Sequence, residues 1–371
     1  LVITGVILQF LLALLLIKTT IGQKFFNGAN VFVARVIEFS NTGAEFLFNK
    51  ALIQETLAFS ILPTIIFVST LAALLFHLGI LQRIVRVMAW VMVRLMNASG
   101  VESLAAAANV FVGHTEAPLL VKPYLASTTQ SELMTILTAG MATIAGGVMA
   151  AYVKMGASAG HLLTASLMSA PAAIVLAKMM VPETEVSPTG RSVSIDPPCT
   201  TVNCMDAVCQ GASDGLHLAL NVGVMLLAAV SLIALFNWCL SPLPELGNEP
   251  ITLQRICGWC FAPIACLLGV PREDILNVAG LLGEKTILNE FIAYLDLMAL
   301  KEQGAITERG FILTQYALCG FANFGSLAIA IGGISQLVPE RRTDLAHLAF
   351  KALIAGTFAA LMTACVAGVL I

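Results

Sequence analysis

Long apolar runs fill this chain, and several are interrupted at one definite place by a compact group of polar residues. Residues 1–17, 52–81, 131–155, 161–181, 216–240 and 344–371 are predominantly apolar. At about 1.5 Å of helical rise per residue, such lengths cross or nearly cross a hydrocarbon layer about 30 Å thick. The run at 1–17 lacks the charged leader and cleavage site of a secretory signal and reads as a first span, so the chain is expected to begin inside the membrane with sequence missing upstream. Between residues 19 and 50, Lys24, Arg35, Glu38 and Glu45 interleave with six phenylalanines, the pattern of an interfacial helix, with a turn expected at Asn41-Thr42-Gly43. Arg83, Arg86 and Arg94 stripe a following helix as a solvated or headgroup-facing edge. Residues 182–210 read as a polar loop, a Pro/Glu-containing link runs to Glu249, and 251–270 is a shorter apolar helix.

Four interruptions are of a different kind. Asn109-Val110-Phe111-Val112-Gly113-His114-Thr115-Glu116-Ala117-Pro118 puts an amide, an imidazole, a hydroxyl and a carboxyl inside an apolar stretch. An acid at mid-bilayer costs roughly 3 kcal/mol, so such groups face a protein interior or a wet cavity and mark a substrate or ion path. The segment 97–126 is too short for two spans and too long for one, which predicts a re-entrant hairpin. Thr143-Ile144-Ala145-Gly146-Gly147 predicts a break at mid-depth in the span 131–155. Asn289-Glu290 predicts a second broken helix within 271–300, and Gly320 to Ser326 a second hairpin within 310–337. Each half of the chain thus holds one hairpin and one interrupted span, a sign of internal duplication.

Composition then fixes the class. Hydrophobic residues make up 58% and charged residues 11% of the chain, with a mean hydropathy of +0.91. A soluble domain carries about 25% charged residues, so the fold class is an all-α polytopic membrane protein. A net charge of −3, with no long basic run, gives no grip on nucleic acid. The nine cysteines are scattered, mostly within apolar segments where Cys serves as a small hydrophobe. Cys199, Cys204 and Cys209 share a polar loop but follow no zinc spacing.

The polar groups sort by chemistry. The Asn109 side chain, the Thr143 hydroxyl and main-chain carbonyls freed near Val112 and Ile144 form an oxygen-only set suited to a hard cation such as Na⁺. His114, Thr115 and Glu116 offer donors and acceptors to a planar polar ligand, and Phe321 could wall a ring. Glu290, Asn323 and Ser326 suit hydroxyl groups; taken singly, an Asn or Ser in a membrane helix is as readily interhelical glue. His77, His161, His217 and His347 lie near segment ends and read as incidental. His114-Thr115-Glu116 also has the His-x-Glu form of zinc deaminases, but that pattern needs Pro-Cys-x-x-Cys, and after Pro198-Cys199 the next Cys is five residues on.

Four stretches in order, Asn109 to Pro118, Ala142 to Gly147, Lys285-Thr286-Ile287-Leu288-Asn289-Glu290-Phe291-Ile292-Ala293-Tyr294 and Cys319-Gly320-Phe321-Ala322-Asn323, resemble the concentrative nucleoside transporter family. The likeness runs over nearly the whole chain and includes Val181-Pro182-Glu183-Thr184-Glu185. The resemblance implies a cation-coupled importer of uridine-like nucleosides, not an enzyme, working by alternating access as a homotrimer in a bacterial inner membrane. It implies an inverted-repeat transport domain beside a scaffold: 1–96 scaffold, 97–181 first hairpin, broken helix and following span, 182–270 polar loop and scaffold, 271–337 broken helix and second hairpin, 338–371 final span. It places His114, Thr115 and Glu116 on the nucleobase with Val148 and Phe321, Glu290, Asn323 and Ser326 on the ribose, and Asn109, Val112, Thr143 and Ile144 on Na⁺. Proton coupling through Glu116 or Glu290 is the alternative, and a membrane zinc enzyme a remote one. The family commonly has Gln where His114 stands and Ser where Gly325 stands.

Overall fold

The computed structural model describes residues 1–187, 190, 201–242 and 250–371, and these fold almost entirely as helices. Helix α1 (Val2–Ala13) continues as a turn of π-helix to Lys18 and then bends by 74° into α2 (Thr20–Leu47). Thr19 makes the corner: its backbone is extended, and its hydroxyl donates to the Leu15 carbonyl (2.6 Å) and accepts from the Gly22 N–H (3.1 Å). The turn expected at Asn41-Thr42-Gly43 is absent, and α2 passes straight through it. Thr42 bonds back to the Glu38 carbonyl (3.1 Å), and Ser40 and Ala44 are buried, so packing overrides the local turn preference. After α3 (Lys50–Glu55) come α4 (Leu57–His77), which contains Pro63, and α5 (Ile80–Met96). Helix α5 buries Leu81, Val85, Ala89, Met92 and Met96 at helical spacing and leaves Arg83, Arg86 and Arg94 exposed, as their pattern predicts.

The first hairpin comprises α6 (Gly100–Ala108) and the short helices α7 (Ala117–Leu120) and α8 (Lys122–Leu125). It is followed by α9 (Gln130–Ala142) and α10 (Gly146–Met155), one span broken at residues 143–145, and then by α11 (Ala159–Met180). Capping boxes, Ser99 with Glu102 and Thr129 with Glu132, start α6 and α9. The chain enters and leaves the hairpin on one side. Lys178 Nζ, near the end of α11, pairs with Glu102 at 2.9 Å and Glu183 at 3.0 Å, and Thr129 donates to Glu183 at 2.8 Å. Breaking a buried ion pair strands a charge at a cost of about 3–5 kcal/mol. Lys178→Met is therefore expected to lower the thermal unfolding midpoint in detergent sharply. An unchanged melt would show that this clasp does not hold the hairpin base.

Helix α12 (Cys204–Leu240) is 37 residues long and begins within the expected 182–210 loop. Asn203 caps it, its side-chain oxygen accepting the Asp206 N–H at 2.9 Å. Pro198 and Cys199 in that loop, and the link 243–249, lie outside the described residues. Helix α13 (Leu253–Leu267) packs along α14 (Ile275–Ile287), which leads into α15 (Glu290–Glu302). Here the structure departs from the sequence expectation. The Asn277 amide donates to the Ala305 carbonyl (3.0 Å), Asp274 accepts from Thr307 N–H (3.2 Å), and the Glu284 and Asp296 carboxyl groups meet. Helices α14 and α15 therefore run antiparallel, with their tip at Leu288-Asn289. The segment 271–300 is the second hairpin, not a broken span.

The reverse holds for 310–337. Helices α16 (Glu308–Leu318) and α17 (Phe324–Leu337) lie end to end along α18 (Arg342–Leu370). Arg309 donates to the Gly368 carbonyl (2.9 Å), while Leu327 and Ala330 pack with Ala349 and Leu353, farther back along α18. This segment is the second broken span. A polar interruption sets where a helix stops; packing on neighbours sets where the chain goes next. Both halves thus follow one order, hairpin then broken span. Among the described residues, Phe59–His77, Gln130–Met155, Ala159–Met180, Cys204–Leu240 and Pro339–Leu370 are long and apolar enough to cross a membrane. Gln130–Met155 is almost wholly wrapped by other helices, which is where a broken span can be tolerated.

Candidate functional site

Four interrupted places meet: the tip 109–116, the break 143–145, the tip 288–289 and the break 319–323. Backbone bonds stitch three of them together, Gly146 N–H to the Phe111 carbonyl (3.2 Å) and Phe321 N–H to the Thr143 carbonyl (3.2 Å). The close approach demands glycine at two points. A Cβ on Gly140 would stand 2.8 Å from His114 Cβ, and one on Gly320, whose φ is +153°, would stand 2.9 Å from the Met141 carbonyl oxygen.

At the junction lies a cavity of about 410 Å³, the size of a small-molecule site. His114, Thr115 and Glu116 line it from the first tip, and Val148 from the broken span. Glu290 lines it from the second tip, and Phe321, Asn323 and Ser326 from the second break. The sequence-predicted ligand set is thus brought to one cavity. Glu290 opens α15 behind Asn289, whose side-chain oxygen accepts the Ile292 N–H at 3.0 Å. The Glu290 carboxylate accepts from the Tyr152 hydroxyl at 3.0 Å and the Asn323 amide at 2.7 Å. Asn323 also caps α17, its oxygen accepting the Ser326 N–H at 2.7 Å. Glu116 accepts the Gly113 N–H within its own tip. The His114 ring meets Phe321 edge-on, with centroids 5.0 Å apart, and its two ring nitrogens are buried without a partner. Orphaned donors and acceptors beside a cavity are what a polar ligand satisfies.

Of the residues expected to hold Na⁺, Asn109 and Val112 stand on the first tip, and Thr143 and Ile144 at the first break. Asn109 is 1% exposed; its amide nitrogen donates to the Ala105 carbonyl at 3.0 Å, and its oxygen has no partner. The Thr143 hydroxyl donates to the Ala139 carbonyl at 2.9 Å, which leaves its oxygen lone pairs for another group. Val112 and Ile144 flank the Phe111–Gly146 bond, Ile144 fully buried. An unpartnered amide oxygen in an all-oxygen set fits a hard monovalent cation.

The model of the family described as Na⁺ dependent nucleoside transporter C-terminus matches residues 161–368, its N-terminal counterpart residues 1–51, and one described as nucleoside recognition residues 58–159. Solute carrier family 28 member 3 of Mus musculus is 43% identical, covering 99% of this chain and 54% of that protein. YutK, an uncharacterized transporter of Bacillus subtilis, is 42% identical, covering 100% of this chain and 92% of that protein. The structure of CNTnw in an inward-facing substrate-bound state superposes with a TM-score of 0.92 at 36% identity, covering 100% of this chain and 92% of that one. A CNTnw variant in an outward-facing state gives a TM-score of 0.93 at 35% identity, covering 100% and 91%.

The chain belongs to the Na⁺-dependent nucleoside transporter family. It spans about half the length of the mammalian relatives it matches. Membership in a polytopic membrane transporter family displaces the zinc-enzyme alternative raised by His114-Thr115-Glu116. Within this family member, several wall residues escaped the sequence reading. Gln210, Asp214, His217 and Asn221 of α12 line the cavity. They recur at helical spacing, i, i+4, i+7 and i+11, and that polar stripe in an apolar helix was the available signal. His217, read as incidental, stands on this wall with its Nδ1 paired to the Ser213 carbonyl (2.8 Å). Tyr152, one turn beyond Val148, is the other omission. Lys285 is buried and donates to the Ala317 carbonyl (2.8 Å), tying the second tip to the end of α16.

Proposed function

We propose that this chain imports uridine-like nucleosides, driven by Na⁺ entering with them, through alternating access of a mobile domain. The observation that carries this reading is the Glu290 carboxylate, held by Tyr152 and Asn323 where the second tip and second break meet, facing the orphaned His114 ring across one cavity. A buried carboxylate is an acceptor for paired hydroxyls, as a ribose offers, with Ser326 and the Asn323 oxygen beside it. His114, Thr115 and Glu116 take the base edge, with Val148 and Phe321 against its faces. Asn109 and Thr143, with the main chain at Val112 and Ile144, hold the cation. Residues 97–181 and 271–337 form the moving part against a scaffold of 1–96, 182–270 and 338–371. Existence of CNTnw in inward- and outward-facing states supports such movement. The assembly is a homotrimer in a bacterial inner membrane.

The driving force is adequate. One Na⁺ moving through about 100 mV releases roughly 2.3 kcal/mol, and a tenfold gradient adds about 1.4 kcal/mol. Together these sustain a nucleoside accumulation of roughly a few hundred-fold. Uridine uptake into proteoliposomes, with Na⁺ varied at fixed pH and pH varied without Na⁺, tests the reading. Uptake that follows the proton gradient alone transfers the coupling to a carboxyl group such as Glu116 or Glu290. Uptake that follows neither gradient ends the symport reading.

His114 is where this chain leaves its family's common residue. Glutamine also carries a donor and an acceptor, but on a flexible amide of different reach. His114→Gln is expected to reorder competition among uridine, cytidine and adenosine, each affinity moving by about 0.5–1.5 kcal/mol. An identical ranking in both proteins would show that His114 does not touch the base.

A further inference from the structure

A second cavity, of about 460 Å³, lies between α13 and the hairpin of α14 and α15, and shares no lining residue with the first. Two carboxyl groups meet at its wall. Glu284 of α14 is 4% exposed, and its carboxyl lies within hydrogen-bonding reach of Asp296 on α15. Gln254 of α13 touches Glu284 on one side, while its own oxygen accepts from the Asn237 amide (3.3 Å). Glu284 Oε2 has no partner.

Among the described residues, no lysine or arginine of the surrounding helices forms an ion pair with these two carboxyl groups. On α13, Arg255 donates to the Pro250 carbonyl (2.9 Å) and lies over the Trp259 ring (5.5 Å). Cys257, also on α13, packs against Gly283. On α14, Lys285 is the next residue, but its ammonium donates to the Ala317 carbonyl. Two ionised carboxylates in contact, out of bulk water, repel each other strongly, and a single positive charge between them removes that cost.

We propose that Glu284 and Asp296 form a second cation site, distinct from the cavity at Glu290 and the oxygen set at Asn109, which holds one proton or one Na⁺ between its two carboxyl groups. Either cation suits a hard, oxygen-only donor pair. The pair titrates as a unit, so its proton belongs to both residues. Glu284 lies six residues before Glu290 on the same hairpin, so charge uptake here acts on how that hairpin seats against α13.

Infrared difference spectra of the full chain in detergent test this. Wild type, Glu284→Gln and Asp296→Asn are compared as pH is stepped in Na⁺-free choline buffer, then as Na⁺ is added at neutral pH. A monodisperse size-exclusion peak and an unchanged helical signal confirm folding. The expected result is a protonated-carboxyl band at neutral pH in wild type, diminished by one group in either variant. A band that survives Na⁺ identifies the occupant as a proton. A band that Na⁺ removes, with about one proton released per chain to an indicator dye, identifies it as Na⁺. Variants whose band and Na⁺ response match wild type overturn the site. So does a wild type without that band in Na⁺-free buffer, a result that requires no variant to fold.

Discussion

Replacing Glu290 by glutamine is expected to weaken uridine binding by about 1.5–3 kcal/mol, roughly 10- to 150-fold in dissociation constant. The carboxylate is an acceptor at both oxygens, and the structure gives it two donors, the Tyr152 hydroxyl at 3.0 Å and the Asn323 amide at 2.7 Å. Glutamine keeps the shape but turns one oxygen into an NH₂ that must face one of those donors. The loss therefore has two parts: a weaker acceptor for the ribose, and a disturbed seat for Asn323, which also caps α17 through the Ser326 N–H. Tyr152→Phe separates them. It removes one donor and leaves the charge, so a loss of about 1 kcal/mol is expected. Free uracil supplies the control, since it has no ribose to lose. Equal affinity of wild type for uridine and uracil, or of Glu290→Gln and wild type for uridine, would sink the ribose assignment.

The places where helices break were legible in the sequence because burying polar groups at mid-depth is costly without a purpose. Asn109, His114, Glu116, Glu290 and Asn323 each stood out against apolar neighbours, and each is now found at a tip or a break. The direction taken after a break was not legible. Leu288-Asn289 reverses the chain, whereas residues 319–323 let it continue, yet both are polar interruptions ahead of an Asn-capped helix. What separates them is tertiary: α15 folds back on α14 through Asn277, Ala305, Glu284 and Asp296, while α17 follows α16 along α18. Local turn propensity misled at Thr42, where the side chain bonds within the helix. The α12 wall was missed for another reason. Gln210, Asp214 and Asn221 are spread over three turns, so no short motif contains them, and only the helical period gathers them on one face. Gly325 shows how far the family comparison reaches. A Cβ there would meet the Met225 methyl of α12 at 2.7 Å, so a serine at this position requires Met225 to move.

Substituting leucine for Asn109 is expected to move Na⁺ activation of uptake to much higher Na⁺ concentration while leaving the protein folded. Asn109 is buried at the end of α6, where its amide nitrogen bonds the Ala105 carbonyl (3.0 Å) and its oxygen finds no protein partner. Leucine has the same branching and number of side-chain heavy atoms as asparagine, suits the neighbouring Ala105, Ala106 and Ala108, and removes a polar group from an apolar interior. Stability should therefore hold or rise slightly, which separates this variant from a folding defect. What disappears is one oxygen of the proposed cation set. A contact with a charged group contributes about 1.5–3 kcal/mol, so Na⁺ affinity is expected to fall roughly 10- to 150-fold. Thr143→Val bears on the same site from the other side. It removes the hydroxyl that donates to the Ala139 carbonyl (2.9 Å), and a smaller shift in the same direction is expected. The measurement is uridine uptake against Na⁺ concentration in proteoliposomes containing each protein, with the thermal melt as the folding control. An Asn109→Leu protein that melts like wild type and is half-activated at the same Na⁺ concentration would place the coupling ion elsewhere in the chain.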